Sequence, residues 1–167
     1  MKSVKTRRFA ACSGPYDQAR SHQRKAGMER TKMAGHLIRR LQQQSTQVFQ
    51  SRMQAAGFDL TSVQFAALDA IAQQPEIGQA TLSAIIGFDR ATIGGVIERL
   101  EAKGLILREI SEVDRRARVL RLTSQGARLL LNCRPTVEAL QLDILGPLTE
   151  EERSQFTVLA QRALGLV

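Results

Sequence analysis

The chain has 167 residues, 43% of them hydrophobic but only 4% aromatic, with no Trp and a formal net charge of +8. That length suits one domain, or one domain with a tail, and is enough to bury a core. No run of about 18 apolar residues is present, which excludes a membrane-spanning helix, and Cys12 and Cys133 stand alone without metal-ligand spacing, which fits a reducing cytoplasm rather than a disulfide framework.

The positive charge is unevenly placed. Residues 1–32 hold nine Lys/Arg against Asp17 and Glu29, whereas the remaining fifteen basic residues face fourteen acids. Residues 1–30 mix Lys, Arg, Ser, Gln and Gly without periodicity, and are read as a disordered basic tail. Two readings stay open: an arm that adds non-specific DNA affinity, or residues ahead of a true start at Met28 or Met33. The segment lacks an apolar stretch, so it is not expected to be a secretory signal.

Residues 31–167 are expected to form the folded domain. The stripe Leu37, Leu41, Val48 and Phe49 predicts a first helix over 33–56, interrupted by the polar run Gln42 to Thr46 and ended by Gly57. Thr61 with Gln64 is a capping box for a second helix, Ser62 to about Gln73, with Phe65, Leu68 and Ile71 on its apolar side. A short helix follows from about Gln79 to Ile86. After Gly87, Asp89 is a suitable N-cap for a helix carrying Ile93, Val96, Ile97 and Leu100 at i, i+3, i+4, i+7, with Phe88 placed to staple onto Ile93 and Gly104 as C-cap. Leu105 to Ser111 and Ala117 to Leu122 read as two strands joined by an Asp-Arg-Arg turn. Thr123 or Ser124 caps a long helix to about Leu145, with Pro135 expected to kink it. Thr149 with Glu152 caps a last helix to about Leu164.

Two helices joined by a tight turn and followed by a two-stranded ribbon make a winged helix-turn-helix, mostly α with a small β-wing. On this reading the recognition helix presents Arg90 and Thr92 at its first turn, Gly95 on its outer face and Arg99 on a flank. Gly94 and Gly95 each cost about 1 kcal/mol in helix propensity, and are read as permitting close approach of the backbone to DNA. The ribbon turn concentrates Asp114, Arg115, Arg116 and Arg118, a cluster suited to phosphates or a minor groove.

From about Leu37 to Leu164 the chain resembles the MarR family of bacterial transcription regulators. The resemblance is carried by Leu60-Thr61 through Leu68, Thr81-Leu82-Ser83, Asp89-Arg90-Ala91-Thr92 and Glu98 through Leu105. The most specific element is Asp114-Arg115-Arg116 followed by Leu122-Thr123 and Gly126. It implies a homodimer on a pseudo-palindromic double-stranded operator. The DNA-binding lobe would span about 61–123, and dimerisation helices would lie at about 33–56 and 124–165. Asp114 is expected to hold Arg116 at the wing tip. It also implies a repressor released by a small aromatic carboxylate or phenolic ligand. For that effector His36 and Arg40, near Arg39, are candidate cations, with Gln44 and Phe65 as candidate lining. The alternative is an architectural DNA-binding protein without operator specificity, which would lack the 10³–10⁷-fold preference of about that size that specific regulators show. Neither His22 nor His36 sits in a metal spacing, and no phosphate loop, nucleophile elbow or paired acidic motif appears. No catalytic residue, metal or cofactor is therefore expected, and a cytoplasmic location is.

Overall fold

The computed structural model describes residues 32–167 and divides the chain into two units, Met1–Gln43 and Gln44–Val167. The expected disordered tail, with Cys12 and His22, lies outside the described residues. Helix α1, Ala34–Ala55, runs through the division; its second-unit portion buries Phe49 and Met53. In chain order there follow α2 (Ser62–Gln73), β1 (Ile77–Gly78), α3 (Gln79–Ile86), α4 (Arg90–Ala102), β2 (Ile106–Ile110), β3 (Arg118–Leu122), α5 (Ser124–Ile144) and α6 (Glu150–Ala163).

The helices begin where their caps dictate. The Thr61 hydroxyl accepts from Gln64 N at 3.2 Å while the Gln64 side chain accepts from Thr61 N at 3.1 Å. Thr149 and Glu152 repeat the arrangement for α6. Each box satisfies two backbone donors that a helix start leaves orphaned. The stripe Ile93, Val96, Ile97 and Leu100 is buried together with Leu68, Ile71, Leu82, Ile106 and Leu120. That cluster fastens α2, α3 and α4 to the sheet.

The sheet has three antiparallel strands in the order β1-β3-β2. The ribbon was legible, but β1 was not. It is two residues long and pairs Ile77 with Leu120 and Gly78 with Val119. Its register makes β3 the central strand and leaves β2 at the edge.

The joints between elements agree with the sequence reading in one cap and differ in another. The C-cap of α4 is Lys103, and Gly104 is the following residue in the left-handed region, φ 68°. Helix α5, Ser124–Ile144, has Thr123 as its N-cap, one of the two caps expected, and carries Pro135 inside it. The Thr123 hydroxyl donates to Gly104 O at 2.7 Å and accepts from Gly126 N at 3.0 Å, while Thr123 N donates to Leu105 O at 3.1 Å. Those bonds press the first turn of α5 onto the start of β2. A Cβ on Gly126 would lie 2.0 Å from Leu105 O, so only glycine fits. The Leu-Thr-x-x-Gly pattern is thus the joint that returns the ribbon to the helical body.

Candidate nucleic-acid interface

Helices α3 and α4 meet at 109°, within the range of about 90–120° that helix-turn-helix pairs adopt. Gly87 turns the chain at φ 75°, and the Ser83 hydroxyl donates to Phe88 O at 2.5 Å, closing the corner from inside. Gln79 reaches across from α3 and donates from Nε2 to Arg90 O at 3.1 Å. A Cβ on Gly94 would lie 3.3 Å from that Nε2, whereas Gly95 faces open space. The two glycines therefore divide the role that sequence gave them jointly: Gly94 admits Gln79, and Gly95 leaves the outer face bare.

The first turn of α4 is built on Asp89. Its Oδ1 accepts from Ala91 N and Thr92 N, both at 2.9 Å, and its Oδ2 accepts the Thr92 hydroxyl at 2.6 Å. The Thr92 hydroxyl, followed by these backbone donors, holds the Asp89 carboxyl below the ordinary carboxylate range. Arg90 follows immediately, exposed, at the positive end of the helix dipole where a cation is unfavourable. Its placement suits a phosphate better than it suits the helix. Thr92 and Arg99 are exposed, and Glu98 is exposed between the flanks they mark. Arg99 lies in the last turn, where a cation also favours the helix, so a structural role accounts for it as well.

At the ribbon tip, backbone bonds wrap the loop. Ser111 Oγ accepts from Val113 N and Asp114 N, each at 3.3 Å, and Ser111 N donates to Ala117 O at 3.0 Å. Asp114 Oδ1 accepts from Arg116 N at 2.9 Å, and Ala117 N donates to Asp114 O at 2.9 Å. Asp114 therefore holds Arg116 by its backbone N–H, as an Asx turn does, and no guanidinium contact is involved. The expected hold of Asp114 on Arg116 is thus made through the backbone, and the Arg116 guanidinium has no acidic partner among the described residues.

Among the described residues, ion pairs engage five of the basic side chains. Arg52, Lys103, Arg108, Arg121 and Arg134 each have an acidic partner. Among the described residues, no ion pair involves Arg90, Arg99, Arg115, Arg116 or Arg118, and all five are exposed; Arg39, Arg40, Arg128, Arg153 and Arg162, on α1, α5 and α6, form none either.

The expected effector residues fall in both units and are described unit by unit. His36 is half-buried and Arg40 exposed, both in the first unit. Gln44 donates from Nε2 to Ile144 O at 2.7 Å, tying α1 to the last turn of α5. Phe65 packs against Phe49 with the rings tilted by 52° and centroids 6.1 Å apart, and walls a groove of about 310 Å³ between α2 and α5. That groove holds Arg134, paired with Asp69 at 2.6 Å, and Gln73 and Gln141. Sequence reasoning missed Arg134, because its partner lies 65 residues away. Cys133, on the same helix, is fully buried, and burial raises its thiol pKa. Among the described residues no single helix is long and apolar enough to cross a membrane.

A helix-turn-helix followed by a ribbon with uncompensated guanidinium groups at its tip is the fold of a winged helix-turn-helix DNA-binding protein. The MarR family model matches residues 60–117. The HTH-type transcriptional repressor NicR of Pseudomonas putida is 34% identical over 80% of this chain and 84% of its own. Among solved structures, PcaV of Streptomyces coelicolor, a transcriptional regulator in complex with its natural ligand, superposes with a TM-score of 0.72 at 31% identity over 81% of this chain and 94% of its own. BpsR of Bordetella bronchiseptica, whose DNA binding is regulated by 6-hydroxynicotinic acid, gives 0.73 at 30% identity over 80% and 94%. The chain belongs to the MarR family and is a DNA-binding transcription regulator.

Proposed function

We propose that this chain is a dimeric repressor that grips a pseudo-palindromic operator with α4 and the ribbon tip of each copy, and releases it on binding a small aromatic carboxylate. The observation that carries the DNA reading is local: along the helix-turn-helix and ribbon, Arg108 and Arg121 at the ribbon base are paired with acids, whereas exposed Arg90 at the start of α4 and Arg115, Arg116 and Arg118 at the wing are not. Arg90 and Arg116 are assigned to phosphates or groove edges, with Arg115 and Arg118 beside them. Thr92 and Gly95 line the outer face of α4, Arg99 its flank, and Asp114 shapes the tip. The dimer is supported by α6, which buries no residue and exposes Val158 and Leu159, and by exposed Leu131 and Leu142 on α5. Such a regulator acts in the cytoplasm, beside the chromosome, and performs no catalysis.

The test is selection of a duplex from a randomised pool followed by fluorescence anisotropy. A preference of at least about 10³ over bulk DNA supports an operator-specific regulator, and equal affinity for all duplexes establishes the architectural alternative. Sedimentation at micromolar concentration should show a dimer; a monomer would overturn that part.

For the effector, each candidate cation is considered within its own unit: Arg40 with His36 on α1, and Arg134 in the groove with Phe65. A charge-assisted hydrogen bond contributes about 1.5–3 kcal/mol, so losing the right cation weakens binding about ten- to hundredfold. Calorimetry with 6-hydroxynicotinic acid as the probe, on Arg40→Ala, His36→Ala and Arg134→Ala, assigns the site. A loss confined to Arg134→Ala moves it to the groove. Three variants indistinguishable from the parent would reject both placements.

A further inference from the structure

The base of the ribbon carries an arrangement that DNA contact does not use. Glu76, just ahead of β1, is the one non-glycine residue with positive φ among the described residues, at 67°. A left-handed glutamate is disfavoured, and such outliers persist where their surroundings over-determine them. Two contacts hold this one: Glu76 N donates to Leu120 O at 3.1 Å, and its carboxylate meets the Arg121 guanidinium. From the neighbouring strand, Glu109 Oε2 stands 3.1 Å from Arg121 Nε, an ionic contact without hydrogen-bond alignment.

The register places these groups. Arg121 pairs with Leu107, and Glu109 with Val119, so Arg121 and Glu109 share one face of the ribbon. Arg108, paired with Leu120, lies on the other face and approaches Glu101 of α4 at 3.6 Å. The ribbon is therefore held from both sides, to the α2–β1 turn and to the recognition helix. All five side chains are 29% to 47% exposed, a setting in which ion pairs add little stability. Two carboxylates and a disfavoured backbone spent on one arginine call for another explanation.

We propose that Glu76, Arg121 and Glu109 are positioning residues that fix the angle of the wing relative to α4, so that Arg115, Arg116 and Arg118 meet the duplex in register with Arg90. The proposal rests on the DNA-binding reading. Arg116 is five residues from Arg121, a lever of about 16 Å in extended chain. A tilt of about 4° at the base then moves the tip by about 1 Å, enough to break a hydrogen bond to phosphate.

The test uses the full chain and a duplex selected by the parent protein from a randomised pool. Glu76→Asn keeps a residue that tolerates the left-handed region and removes the charge; Glu76→Gly relieves the backbone altogether. Both should melt within a few degrees of the parent or above it, yet bind the duplex about five- to tenfold more weakly. Arg121→Gln should do likewise, with Arg121→Lys recovering part of the loss. The slope of affinity against salt should not change, because no phosphate contact is removed. Parent-like affinity in Glu76→Asn and Arg121→Gln overturns the proposal. A slope lowered by about one in Arg121→Gln would mean that Arg121 itself touches phosphate, which overturns its positioning role. A parent protein that retains no duplex from the pool would overturn the DNA-binding reading, and the proposal with it.

Discussion

The two ends of one β-ribbon use the same residue type in opposite ways. At its base Arg108 and Arg121 are matched by Glu101, Glu76 and Glu109. At its tip Arg115, Arg116 and Arg118 have no acidic partner among the described residues, and Asp114 is turned toward backbone. Guanidinium groups whose charge is matched inside the protein are spent on position within it; groups whose charge is left unmatched keep that charge for a partner outside it. The contrast shows that a count of arginines in sequence says less than where their counter-charges fall.

The largest effect should come from breaking the base outright. Gly126→Ala drives a methyl into Leu105 O and should destabilise the domain by about 3 kcal/mol or more, seen as a large fall in melting temperature. A melting point near the parent's would mean that the Thr123–Gly126 joint can yield. At the tip, Arg116→Ala should leave melting unchanged, weaken operator binding by about 1–3 kcal/mol and reduce the salt slope by about one. An unchanged affinity at physiological salt would remove the tip from the interface.

Thr92→Val tests whether the α4 grip depends on the same economy of partners. It deletes the hydroxyl that Asp89 accepts, so the Asp89 pKa should climb toward the ordinary carboxylate value in an NMR titration. The sign follows from the lowered folded pKa. What Asp89 contributes as a cap is present above the unfolded pKa and is lost as pH falls through the folded one. In Thr92→Val that loss should therefore begin at higher pH, and an unshifted titration would discount the hydroxyl bond. The smallest effect belongs to Arg108→Gln, where a half-exposed pair 3.6 Å apart should contribute less than about 1 kcal/mol to stability. Its salt slope should match the parent's, in contrast to Arg116→Ala.

What could be read from sequence was what is local. The Thr61/Gln64 and Thr149/Glu152 boxes, the Asp89 cap and the Ile93–Leu100 stripe are encoded within a few residues, and the helices start where these signals place them. Strand β1 escaped because two residues carry no periodicity and its partner strand is far along the chain. The cluster at Glu76 and the groove pair Asp69–Arg134 escaped for the same reason, joining residues 45 and 65 apart. The role of Gly94 was misplaced because nothing near it announces Gln79, a residue of the preceding helix. The unmatched arginines were visible as a cluster, but only the ion-pair geometry showed which of them were already engaged.

The Thr92 hydroxyl donates its hydrogen bond to Asp89 Oδ2 at 2.6 Å, so what this side chain still offers a partner is a methyl group and an acceptor lone pair. A methyl is the natural complement of the C5-methyl of thymine in the major groove. On the proposed DNA reading, recognition at this point becomes a matter of shape and hydrophobic contact. An operator synthesised with uracil in place of thymine opposite Thr92 keeps every Watson–Crick and major-groove hydrogen-bonding group, yet should be held more weakly. Cytosine methylated at C5 should partly imitate the missing base.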